Sequence, residues 1–163
     1  MKKVICFIIA LLTMPFVVQG ETPNSAVQQT KIVTNCPYLK VSIVKCEANG
    51  KTVILELKMT NMSDNDANKV GLWGTGAIVY DDQGNKYYRD NISMKFANMQ
   101  FTQSWIDYDF LADIPVKVAI KIDGVSTLAE SLARVTIEIL NDGGLGIKKE
   151  TPITLRNIPI TRQ

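Results

Sequence analysis

Histidine is absent from all 163 residues. That single absence removes Ser-His-Asp and Cys-His catalysis, and every His-ligated zinc or copper site. Cysteine is scarce, with Cys6, Cys36 and Cys46 making up the three in the chain. A lipoprotein needs a cysteine just after an N-terminal apolar run, and Cys6 lies inside that run instead. Net charge is also lacking. Of the 18 Lys and Arg, Lys2 and Lys3 fall in the first twenty residues, while none of the 16 Asp and Glu do, so the remainder holds sixteen of each sign. A neutral chain offers no electrostatic argument for nucleic acid or an anionic membrane.

The first twenty residues stand apart. Lys2 and Lys3 precede "VICFIIALLTM", an apolar run short of the roughly 20 residues a spanning helix needs, and Val18 and Gly20 occupy the small-residue positions before a cleavage site. The pattern predicts a secretory signal peptide over 1–20, cut between Gly20 and Glu21. Localisation is then periplasm, cell surface or extracellular medium, with no transmembrane segment after cleavage. Residues 21–37 are polar and aperiodic, and read as a flexible lead-in. The remaining length suits one domain with a core of its own.

From Tyr38 onward the pattern is β. "TVILELKMT" alternates Val53, Leu55, Leu57 and Met59 against Glu56, Lys58 and Thr60. Asn49-Gly50 before it signals a hairpin, and "DDQGN" links two further strand arms. "ISMKF", "IPVKVAIKI", "RVTIEIL" and "ITLRNIPI" add strands, while residues 97–110 read as irregular. Thr127 and Glu130 form a capping-box pattern, which predicts one short helical turn near 127–133. The sum is an all-β antiparallel sandwich of about seven to eight strands over 38–163.

Two motifs carry a resemblance. "Strand, Thr-Asn-x-Ser, acidic loop" covers Thr60 to Asp66, and "Tyr-Asp-x-x-Gly" covers Tyr80 to Gly84. The chain resembles the immunoglobulin-like domains of unknown function on bacterial cell envelopes, over roughly 38–160. The resemblance implies a fold and an envelope location, and it brings no catalytic residue. The Cys…Trp…Cys spacing of antibody domains is missing.

Few residues are candidates for chemistry. Asp64, Asp66 and Asn68 are spaced like the first ligands of a calcium loop, but Lys69 replaces the required Gly and Thr75 the bidentate Glu. These failures favour a turn stabilised by Asx side chains, so no metal and no cofactor is expected. "GLWGTGA" lacks the Gly-Lys-Ser/Thr ending of a phosphate cradle. Its glycines suggest a close backbone approach, and Trp73 is expected in the core. An even count of exported cysteines suggests a Cys36–Cys46 disulfide. Against it, ten extended residues reach about 33 Å while bridged Cα atoms lie within about 7 Å; both readings stay open. Asn61-Met62-Ser63 and Asn91-Ile92-Ser93 match glycosylation sequons.

The richest stretch is "FANMQFTQSWIDYDFLADIP". Trp105 and Tyr108, with Asp107 and Asp109, have the composition of a sugar-binding face, in which rings stack and acids accept hydroxyl hydrogens. The plainer reading is a crossover loop pinned to the sandwich by its aromatics. Function is therefore read as an exported, non-catalytic module that binds or positions another envelope macromolecule, a protein or a glycan. The alternative is a carbohydrate-binding module using residues 96–110. A small hydrolase ranks last, since paired acids alone fix no cleft.

Overall fold

The structure, a computed structural model, describes residues 29–140, 145–146 and 150–162. The signal peptide, its cleavage site and the lead-in up to residue 28 lie outside the described residues. Twelve strands are present among those described: β1 (Lys31–Thr34), β2 (Leu39–Asn49), β3 (Thr52–Asn61), β4 (Ala67–Trp73), β5 (Ile78–Asp81), β6 (Lys86–Tyr88), β7 (Ile92–Phe96), β8 (Trp105–Phe110), β9 (Pro115–Ile122), β10 (Ser131–Leu140), β11 (Thr151–Pro159) and β12 (Thr161–Arg162). They form an all-β sandwich. One sheet has five strands in the order β12-β2-β3-β9-β7. The other has seven: β1-β11-β10-β4-β8, with β5 and β6 continuing beside β10 where β4 leaves it. All pairs are antiparallel except the two-residue β12, which runs parallel to β2.

The alternation read in the sequence builds the core. Val53, Leu55, Leu57 and Met59 of β3 are fully buried, as are Val118, Ile120 and Ile122 of β9 beside them. From the other sheet, Leu72, Val79, Val135, Ile137, Ile139, Ile153 and Leu155 close the same cluster. Fully burying each such side chain contributes about 1.5–3 kcal/mol. The β2–β3 hairpin turns on Gly50 and Lys51, with Gly50 at φ 57°, where a Cβ would be strained. One irregularity in β2 escapes simple alternation. The register slips at Val44, so Ile43 faces Leu57 while Lys45 faces Glu56. This bulge turns Val44 outward and lets Leu39 on one side, and Cys46 and Ala48 on the other, both face the core.

Two expectations need correction, and two open readings are decided. The lead-in ends earlier than 37, because β1 pairs with β11, placing Ile32 opposite Leu155; four residues between polar neighbours are too few to show a period. The helical turn near 127–133 is a single turn over Ser126–Ala129, and Ser131 already opens β10. Tertiary partners outcompete the helix here: Arg162 donates to the carbonyls of Ser126 and Ala129, and the Asp82 carboxylate accepts from the Glu130 amide. Cys36 and Cys46 are both buried free thiols. Leu39 to Cys46 is one strand, and its seven steps cover about 23 Å, which keeps the two sulfurs apart. Lastly, Asn61 is fully buried and therefore no glycan acceptor. Its amide nitrogen donates to the carbonyls of Asn65 and Phe110 while its oxygen accepts from Ser63, so it folds the loop that leads to β4.

The β5–β6 hairpin has a buried anchor in Asp81. Its Oδ1 accepts from the amides of Gln83 and Asn85, and its Oδ2 from the Asn85 side chain and, at 2.7 Å, the Tyr87 hydroxyl. Burial pushes this carboxyl up, but the donors outweigh it and hold it below its ordinary value.

Candidate functional site

The stretch 97–110 is not one loop. Its last six residues form β8, an edge strand whose Ile106 and Phe110 face the core. Alternation then sorts the candidate residues. Trp105, Asp107 and Asp109 share the outer side, while Tyr108 points to the inner side, where its ring meets Phe96 at 5.6 Å. Phe96 and Phe110 are core, packed edge to face. Phe101 lies under Lys95 and Lys121 on the other sheet. The aromatics that the sequence groups together are thus distributed over four surroundings.

Trp105 is 44% exposed, although a crossover loop pinned by its rings would bury it. Trp73, expected in the core, is 40% exposed. The reason is the parity of β4: Val70 and Leu72 face inward, so Trp73 must face out. The two tryptophans are direct cross-strand partners. They lean in opposite directions along the sheet. The ring of Trp105 lies over Gly71, so that a Cβ at position 71 would come within 1.8 Å of its Cζ2 and 2.0 Å of its Cη2. Trp73 leans toward Gly76, where a Cβ would come 3.6 Å from its Cε3 and 2.9 Å from Glu138 Oε2. Glycine at 71 is what permits the close approach of ring to backbone. The ring covers the gap in the sheet at Gly71 and stays partly exposed. Asp107, opposite Gly71, and Glu138 on β10 place carboxylates at the two ends of the pair. Beyond Glu138, Ile78 and the exposed Tyr88 continue the same face.

The outer face of the seven-stranded sheet is therefore a flat aromatic platform edged by acceptors. Sequence reading reached Trp105 and Asp107 and missed Trp73 and Glu138. The signal was available in "VGLWG", where Val70 and Leu72 fix the outward parity of Trp73 and Gly71. Tyr108 and Asp109 belong elsewhere. They line an open groove of about 1080 Å³ along the free edge of β8, with Lys69, Lys95 and Lys117, and Asp107 borders this groove as well as the platform. Asp109 Oδ1 accepts from the Lys69 amide, and Lys69 sits at φ 52° in a bulge of β4. In the suspected calcium loop, Asp66 Oδ1 accepts from the Ala112 amide at 2.8 Å, and Asn68 already belongs to β4. Among the described residues, no group of three His, Cys, Asp or Glu is placed to hold a metal ion, and no helix is long and apolar enough to cross a membrane.

No known family and no curated protein matches the chain. Among solved structures, it is similar to a family 123 glycoside hydrolase from Clostridium perfringens, at a TM-score of 0.45 and 11% identity, over 71% of this chain and 26% of that one. It is also similar to a GH20 exo-β-N-acetylglucosaminidase from Vibrio harveyi, in an inactive mutant (TM-score 0.33, 14% identity, 77% of this chain, 17% of that one) and in complex with N-acetylglucosamine (TM-score 0.32, 13% identity, the same coverage). The chain spans about a quarter or less of these proteins' length, and at these scores the likeness carries no functional argument.

Proposed function

We propose that the protein is an exported, non-catalytic β-sandwich module that holds an envelope glycan against the outer face of its seven-stranded sheet. One observation carries this reading. The Trp105 ring lies over Gly71 and remains partly exposed, next to a second exposed tryptophan, its direct partner across the strands. A ring fixed in this way loses little freedom on binding, and its negative π face suits the C–H face of a pyranose. Asp107 and Glu138 then accept hydrogens from the hydroxyls that ring the sugar. The apolar run and cleavage pattern of residues 1–20 support export.

A glycan array compared with Trp73→Ala and Trp105→Ala tests the reading. Both variants lose glycan binding by roughly tenfold or more, the scale of one stacked ring. Trp73→Ala leaves the urea midpoint near that of wild type, which separates lost stacking from lost fold. Wild-type protein that captures no glycan, or a folded Trp73→Ala that binds as well as wild type, refutes it.

A further inference from the structure

The same face carries a second pattern, two rows away from the tryptophans. Lys31 of β1 stands opposite Arg156 of β11, Arg156 opposite Arg134 of β10, Arg134 opposite Tyr80 of β5, and Tyr80 opposite Lys86 of β6. All five point outward, because Ile32, Leu155, Val135, Val79 and Tyr87 beside them point into the core. Strands lie about 4.8 Å apart, so the ladder runs straight across five strands for about 19 Å. Like charges placed directly opposite in a sheet are destabilising. Here three cations in a row face one another, and none of the four basic residues forms a salt bridge among the described residues. On the opposite sheet Lys45, Lys117 and Lys121 are paired with Glu or Asp, while Lys40, Lys58 and Lys95 form no salt bridge among the described residues; Lys58 faces Lys117 there, but no row of three cations forms. Arg134 is steadied by its own strand through Thr136 Oγ1, and Lys86 by the ring of Tyr88. The guanidinium forks of Arg134 and Arg156 are left to face solvent, and a fork of this kind suits a carboxylate bidentately.

We propose that this ladder is the anion-binding half of the glycan face, and that the ligand is a linear acidic polysaccharide whose carboxylates lie along Lys31, Arg156, Arg134 and Lys86. The inference rests on the glycan reading above and narrows it to a charged class. Along β10, Arg134 and Glu138 are four residues apart, about 13 Å, so the tryptophans lie a few sugars to the side of the ladder. Glu138 and Asp107 beside them accept hydrogens from hydroxyls and repel phosphates and carboxylates alike, so the ring that reaches them is an uncharged sugar.

Affinity electrophoresis with two forms of one polymer tests this: polygalacturonate, charged on every residue, and its full methyl ester, which is neutral. Polygalacturonate binds more tightly, and its advantage shrinks as salt is added. Replacing Arg134→Gln and Arg156→Gln together lowers affinity for polygalacturonate on the order of tenfold, and leaves the weaker binding of the ester unchanged. Lys58→Gln with Lys117→Gln removes equal charge from the opposite sheet and has no effect. Equal binding of acid and ester overturns the ladder and leaves the glycan reading standing. Binding of neither polymer, with Trp73→Ala indistinguishable from wild type on the array, overturns both. Equal losses in the two double variants reduce the effect to net charge, and tighter binding of oligothymidylate makes the ligand a nucleic acid; either result overturns the proposal.

Discussion

Gly71→Ala is the sharpest perturbation of the platform, because the new methyl enters the space that the Trp105 ring occupies. The backbone at 71 tolerates alanine, since its φ is not positive. The core is not compressed either, for the ring can swing outward. The loss is therefore one of cover. Trp105 is 44% exposed, so a little over half of it is shielded. A large aromatic buries about 150–250 Å² when enclosed, which puts the shielded part at about 85–140 Å². At about 25 cal/mol per Å², losing all of it costs about 2–3.5 kcal/mol. Alanine's smaller freedom in the unfolded chain offsets about 0.4–1 kcal/mol, and the displaced ring keeps some contact. The expected net loss is about 2 kcal/mol in urea unfolding, with tryptophan emission shifted to the red. A double-mutant cycle isolates the cause. In a Trp105→Ala background, Gly71→Ala should cost nothing or stabilise slightly. An equal loss with and without Trp105 means that the ring does not lie on Gly71, and the platform argument fails with it.

Leu55→Ala or Leu57→Ala should cost about 2–5 kcal/mol in the same assay, because both are fully buried on β3. Glu56→Ala between them, partly exposed and 3.3 Å from Lys117, should cost about 1 kcal/mol or less, and comparable losses at all three would mean a wrong period. The Asp81 carboxyl is held below its ordinary value of 3.8 by its donors, so it stabilises the fold above the carboxylate range and loses that effect as pH falls through its folded value. Melting temperatures below pH 4 should accordingly fall less steeply for Asp81→Asn than for wild type. Burial, aided by the charge of Glu47, pushes the Cys46 thiol up to about 12. Its contribution is then full below the unfolded thiol value near 8.5 and is lost as pH rises from there toward 12. Cys46→Ala should flatten the alkaline limb of the stability profile, and a thiol reagent should label native protein slowly and unfolded protein fully.

What the sequence reveals depends on whether the information lies within one strand or between strands. "TVILELKMT" and "IPVKVAIKI" carry a period of two over eight residues or more, and both sit in the sandwich as read. Trp73 reads as core when size is weighed above parity, although Val70 and Leu72 on either side of Gly71 turn it outward. The break at Val44 could not be seen, since a bulge leaves a strand of ordinary composition and changes only its phase. At 127–133 the capping box was present, yet Arg162 and Asp82, distant in sequence, claim the backbone groups a helix would use. The basic ladder is the clearest case of hidden order. Lys31, Lys86, Arg134 and Arg156 are separated by tens of residues, and a balanced net charge gives no hint of them. Only the register of four strand pairs brings them into line.

The central strand of the large sheet shows how the two halves of the proposed face depend on one sequence. In "RVTIEIL", Val135, Ile137 and Ile139 are fully buried, so Arg134, Thr136 and Glu138 are forced out in that order. The outer side of β10 therefore runs from cation through neutral hydroxyl to carboxylate in a single rigid line, fixed by the core beneath it. On β11, Arg156, Thr154 and Pro152 stand in register with these three, and on β5 Tyr80 and Ile78 stand beside Arg134 and Thr136. Thr136, Thr154 and Ile78 form an uncharged row between the ladder and the tryptophans. A surface meant only for solvent gains nothing from sorting charge by row, and opposing the arginines across β10 and β11 works against stability. A ligand with carboxylates at one end and an uncharged ring at the other reverses that balance. It neutralises the arginines, stacks on the tryptophans, and requires no movement of a backbone already held by the core.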